Sequence, residues 1–155
     1  MRFSDHFIAF TFVGLVGPAL AIGDAEMTFS PDQNSKTHIQ VRDSEIRYRL
    51  SVGADVVNGN IPHEVEKASH ITIDDYNFDD KEDFSVWHFD EGMGSYKIFR
   101  IFVFSAQGNK FEEIFPSCGD EFINLETNKK KKVLYCTVLQ GNIPKRCTTR
   151  PRKLD

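Results

Sequence analysis

The chain has 155 residues and a net charge of −4, from 19 Lys and Arg against 23 Asp and Glu. That length suits one domain with a proper core, and the acidic balance argues against a nucleic-acid partner. No stretch approaches the ~20 consecutive apolar residues of a membrane-spanning helix.

The apolar run from Phe7 to Leu20 ends in the small-x-small pattern Ala19-Leu20-Ala21, with Arg2 as the firm cation ahead of it. This reads as an export signal over residues 1–21, leaving a single β-domain over 22–155 in a periplasmic or secreted location. Residues 22–35 are polar and read as loose. Ile39 and Val41 alternate with polar neighbours, as do Ile46, Tyr48, Leu50 and Val52, which predicts a half-buried hairpin. Gly53 to Ser69, with Asn58-Gly59, Asn60 and Pro62, reads as a long connection. His70 to Asp74 and Asp83 to Phe89 read as strands around an acidic loop.

That loop, Asp75-Tyr76-Asn77-Phe78-Asp79-Asp80-Lys81-Glu82-Asp83, is the main functional signal. Side-chain oxygens recur at its positions 1, 3, 5 and 9: Asp75, Asn77, Asp79 and Asp83. Calcium takes six to eight hard oxygen ligands, and this spacing curls a loop around one ion. Lys81, at position 7, would give its backbone carbonyl. Val86 stands at position 12, where a helical hand needs a bidentate Glu, so the expectation is a strand-loop-strand Ca2+ site closed by Asp83. Asp80 occupies position 6, where a left-handed backbone usually asks for Gly. The competing reading is a solvated acidic turn.

Next come a Gly-rich turn (Gly92-Met93-Gly94), a strongly apolar strand from Tyr96 to Phe104, and a turn at Gln107-Gly108-Asn109 into Lys110–Ile114. Val133 to Leu139 is a further strand, followed by Gly141-Asn142-Ile143-Pro144. No long window shows helical periodicity. The expected fold is mostly β, an antiparallel sandwich or open barrel of seven or so strands. Charge is segregated: acids crowd Asp74 to Glu91, whereas Lys129 to Lys153 holds only bases. Of Cys118, Cys136 and Cys147, one pair is expected to bridge in an oxidising compartment, either Cys136–Cys147 or Cys118–Cys147.

Motifs for zinc hydrolysis, serine nucleophiles and phosphate binding are missing, so enzymatic activity is not expected. The acidic loop, the turn Gly92-Met93-Gly94-Ser95-Tyr96 and the Phe/Ile-rich strand after it resemble small exported proteins of Gram-negative bacteria. These are the i-type periplasmic lysozyme inhibitors and related immunity proteins that neutralise peptidoglycan hydrolases. The resemblance covers residues 70–114. It implies a protein that binds a peptidoglycan hydrolase and inserts a loop into the enzyme's cleft. Ser95 and Tyr96 would meet the hydrolase's catalytic carboxylates, Gly92 and Gly94 would shape the turn, and Arg100 would offer a bidentate fork to a carboxylate. The alternative is a calcium-stabilised structural or adhesive envelope module without inhibitory activity.

Overall fold

The computed structural model describes residues 25–42, 44–90, 92, 95–141 and 143–154. The export signal expected over residues 1–21 lies outside them, as does Gly94. The described chain is all β, 62% strand with no helix.

Four strands form the first sheet in chain order: β1 (Ala25–Phe29), β2 (Ser35–Arg42), β3 (Glu45–Val52) and β4 (Asp55–Pro62). Every neighbour is antiparallel, with Ile39 opposite Tyr48 and Tyr48 opposite Gly59. Seven strands form the second: β5 (His70–Asp74), β6 (Asp83–Phe89), β7 (Lys97–Ser105), β8 (Lys110–Ile114), β9 (Phe122–Asn128), β10 (Val133–Gln140) and β11 (Ile143–Thr149). Their spatial order is β11-β10-β9-β7-β6-β5, with β8 also paired to β7.

Strand β7 organises both cores. Its successive side chains point to opposite faces, and both faces are covered, which explains its nearly unbroken apolar sequence. Phe102 and Phe104 join Phe84, Val86 and Phe111 against Ile39, Val41, Ile46 and Leu50 of the first sheet. Phe84 stacks on Phe102 at 4.8 Å and meets Phe111 edge-on at 4.9 Å. On the other face Ile101 and Val103 pack with Tyr76, Phe78, Phe122, Leu134, Cys136 and Cys147. That second core exists because β9 pairs with β7 only through Ile98–Ile123 and Phe99–Phe122. Strand β8 takes the rest of that edge. Asn124 then adopts a φ of 50°, and the sheet curls into a half-barrel.

Two segments differ from the sequence reading. Residues 22–35, expected to be loose, contain β1, which pairs with β2. Residues 53–69, expected to be a connection, contain β4, paired with β3 along its whole length. Gly59 hid that strand. A Cβ there would lie 2.0 Å from the Tyr48 ring, so the glycine is what lets the ring lie across β4. Of the two open disulfide pairings, Cys118–Cys147 is the one formed, and Cys136 is a buried free thiol.

Candidate functional site

The acidic loop joins β5 to β6 and is hung on two aromatic side chains. Tyr76 and Phe78 alternate with the polar positions and insert into the second core, 2% and 5% exposed. Tyr76 is fixed by a 2.8 Å bond between its Oη and Ser85 Oγ, and burial pushes its phenol up to about 12.

The odd-numbered side chains turn inward on the loop's own backbone. Asp75 accepts the Asp79 and Asp80 N–H groups, one on each oxygen, both at 3.0 Å. Asn77 Oδ1 accepts the Asp79 N–H at 3.2 Å, while its Nδ2 donates to Asp79 Oδ2 at 3.2 Å. Asp79 Oδ1 accepts the Lys81 N–H at 3.0 Å, and the Lys81 ammonium folds back to Asp79 Oδ2 at 3.4 Å. Asp80 adopts a φ of 68°, the left-handed backbone expected of position 6. Asp74, just before the loop, pairs with Lys129 at 2.6 Å.

Asp83 has a different role from the closing ligand expected. Its side chain is fully buried. Oδ2 accepts the Tyr76 and Asn77 N–H groups at 2.8 and 3.3 Å, and Oδ1 accepts the Phe104 N–H at 2.8 Å. Burial raises its carboxyl to about 7, against the opposing pull of these donors. Oδ2 is therefore filled and Oδ1 faces β7, so Asp83 braces the loop against the sheet. Among the described residues no three His, Cys, Asp or Glu side chains converge in metal-ligand geometry. The side-chain oxygens of Asp75, Asn77 and Asp79 are turned onto N–H groups of the loop itself.

The second candidate element is the turn between β6 and β7. Asp90 clasps it: its N–H donates to Tyr96 O at 2.9 Å, and its Oδ1 accepts the Tyr96 N–H at 2.8 Å. Lys67 Nζ donates to Asp90 O at 2.6 Å. Gly92 approaches the same carboxylate, Ser95 is exposed, and Tyr96 is half-buried. The acidic loop and this turn lie at opposite ends of β6, on the order of 20 Å apart, so the two elements do not adjoin.

Arg100 is spent inside the molecule. Its Nε and Nη2 fork onto both oxygens of Glu113 at 2.7 Å, and Nη1 donates to Pro62 O. The fork expected for a partner's carboxylate instead ties β7 to β8 and to the end of β4. Arg100 also lines a cavity of about 400 Å³ with His63, Glu64, His88, Ile98 and Glu121. Sequence reasoning gave this cavity no weight, since His63-Glu64 lacks a second ligand at a recognisable spacing. His63 is 4% exposed, with Nε2 2.9 Å from Ser69 Oγ. Burial, then the neighbouring Arg100 charge, lowers its imidazole to about 4.

No protein-family model matches this chain, and no curated protein or solved structure matches it.

Proposed function

We propose that the protein is an exported inhibitor of a peptidoglycan hydrolase, with a calcium-binding loop at residues 75–83 and an inhibitory turn at Ser95 and Tyr96. One observation carries the reading: Asp90 ties the two ends of the β6–β7 connection together through the Tyr96 backbone, and Ser95 beside that clasp is exposed. A connection whose ends are tied before binding has less conformational freedom to lose on entering a cleft. The Cys118–Cys147 bridge supports export, since such bonds persist in oxidising compartments.

Asp75, Asn77 and Asp79, with the Lys81 carbonyl, would hold the ion, and Asp83 would support them from behind. Calcium in that position neutralises the loop's carboxylates and fixes the β5–β6 connection. Its effect is on stability, because the inhibitory turn is at the far end of β6. Gly92 and Asp90 shape the turn, and Arg100 contributes from within the fold.

A second reading, the envelope module without inhibitory activity, draws on a ladder of rings across β5, β6 and β7. His70 stacks on Trp87 at 4.2 Å, Trp87 stacks on Phe99 at 5.7 Å, and the Lys97 ammonium sits 4.4 Å from the Trp87 centroid. Calcium calorimetry and a peptidoglycan-hydrolysis assay on one sample separate the two. The inhibitor reading expects slowed hydrolysis that Tyr96→Ala relieves without lowering the melting temperature. Calcium binding with hydrolysis unaffected across lysozyme-type enzymes leaves the envelope module. Tight inhibition unchanged by both Ser95→Ala and Tyr96→Ala removes the turn from the interface.

A further inference from the structure

We propose that the end of the half-barrel formed by the β9–β10 turn and the chain after β11 is a docking surface for an anionic phospholipid bilayer. The turn is Lys129-Lys130-Lys131-Lys132, all four exposed. Register brings a second cationic segment beside it. Asn128 faces Val133, and Leu134 faces Thr149, so Arg150 lies next to the base of the turn. Arg152 and Lys153 follow, also exposed. Leu154 packs against the second core, which holds this short segment on the surface at both ends.

Among the described residues, charge is matched here only at Lys129, which pairs with Asp74. Among the described residues, no carboxylate pairs with Lys130, Lys131, Lys132, Arg150, Arg152 or Lys153. Of the acids on the neighbouring loop, Asp75 and Asp79 are turned onto that loop's N–H groups, while Asp80 and Glu82 are exposed, against six cations without a carboxylate partner. Clusters of this size are attracted to anionic headgroups, each cation strengthening the attraction.

Two features favour a bilayer over a soluble polyanion. Phe115 is 61% exposed on the strap that runs beside this end, where the Ser117 N–H donates to Thr149 Oγ1 at 2.9 Å. An exposed ring next to cations suits the boundary between headgroups and acyl chains. Single-stranded nucleic acid, by contrast, is held by aromatic side chains interleaved with the bases of its groove, and neither cationic segment contains one.

The test is sedimentation of the full chain with vesicles of phosphatidylglycerol and phosphatidylcholine. Binding is expected to the anionic vesicles alone, falling at least ~10-fold between about 0.05 and 0.5 M salt. Combining Lys130→Glu, Lys131→Glu and Arg152→Glu should weaken it ~100-fold or more, and Phe115→Ser ~5-fold, at unchanged melting temperature. Equal partition onto pure phosphatidylcholine overturns the proposal, as does wild-type partition of the triple variant. Binding to heparin or DNA as tight as to vesicles, with Phe115 irrelevant, overturns it in favour of a soluble polyanion.

Discussion

Asp83 Oδ1 accepts the Phe104 N–H at 2.8 Å, so a side chain at the start of β6 is bonded to the backbone of the central strand. Its other oxygen holds the first turn of the acidic loop through Tyr76 and Asn77. Loop, β6 and β7 thus share one buried carboxylate. Asp83→Ala leaves three N–H groups without their acceptor in a dry site, each costing roughly 1–3 kcal/mol. We expect a loss of about 3–5 kcal/mol in urea unfolding, with Asp83→Asn near half of that. A loss below ~1 kcal/mol for Asp83→Ala would mean that water or another acceptor replaces the carboxylate.

Asp75→Ala and Asp79→Ala should behave differently. These side chains organise a surface loop, so each substitution costs only about 1–2 kcal/mol. Each should also abolish any rise in melting temperature on adding calcium. A calcium-induced rise that survives both substitutions would place the ion elsewhere.

Asp80 shares the loop's backbone strain with Phe78, which has a φ of 61°. At a φ of 68° Asp80 occupies a region that costs most L-residues about 1–2 kcal/mol and Asp somewhat less. Asp80→Gly relieves that cost, offset in part by the freedom glycine gains in the unfolded chain. The expected net is a stabilisation of about 0.5 kcal/mol without calcium, and tighter calcium binding by calorimetry. Weaker binding would show that the Asp80 charge matters more to the ion than the backbone does.

The strands legible in the sequence were those with alternation or a run of strand formers: β2, β3 and β5 alternate, β6 and β10 are rich in aromatic and branched residues, and β7 is apolar throughout because both its faces are buried. Of the missed strands, β1 alternates but over only five residues, and β4 and β11 lack a clear apolar face. β4 reads as turn chemistry because Asn58-Gly59-Asn60 accommodates the Tyr48 ring. β11 starts with the residues Ile143-Pro144, which resemble a turn, and exposes most of its side chains. Spacing located the acidic loop and its odd-even order, but spacing is blind to direction. It places Asp83 in sequence with Asp75 and Asp79, whereas burial turns Asp83 toward β7. Arg100 was misjudged for a related reason, since its partner Glu113 lies on a strand reached only through the β7–β8 hairpin.

His63 gives the fold a pH dependence. Its imidazole titrates at about 4 in the folded chain and near 6.5 when unfolded. The groups around it are Ser69, His88, Arg100 and Glu113, and of these Glu113 alone favours the charged form. Between those pH values the unfolded chain binds the extra proton, so stability rises with pH. The contribution is complete above 6.5 and lost as pH falls toward 4, with a limit of roughly 3 kcal/mol. Asp83, raised to about 7 by burial, binds its extra proton in the folded chain over the same range and opposes that slope, so denaturant unfolding between pH 4 and 7 should show the wild type gaining roughly 3 kcal/mol relative to His63→Gln. An equal slope in the variant would assign the effect to other groups.

The three cysteines hold a second pairing in reserve. Cys136 and Cys147 are direct partners across β10 and β11, and both face the second core. Opposed side chains in an antiparallel pair have Cβ atoms about 4.5–5.5 Å apart, close to the span a disulfide needs. In the native chain Cys147 is taken by Cys118. Burial raises the Cys136 thiol, so little thiolate is present to attack that bond at neutral pH. Cys118→Ser removes the competitor. Exposed to glutathione disulfide, the variant should lose two protons and two electrons from Cys136 and Cys147 and form the cross-strand bridge, seen by peptide mapping. The new loop spans 147 − 136 = 11 residues against 29, so it should return about 1 kcal/mol less stability than the native bridge. If both thiols remain open to alkylation after oxidation, the strands hold Cys136 and Cys147 too far apart to bond.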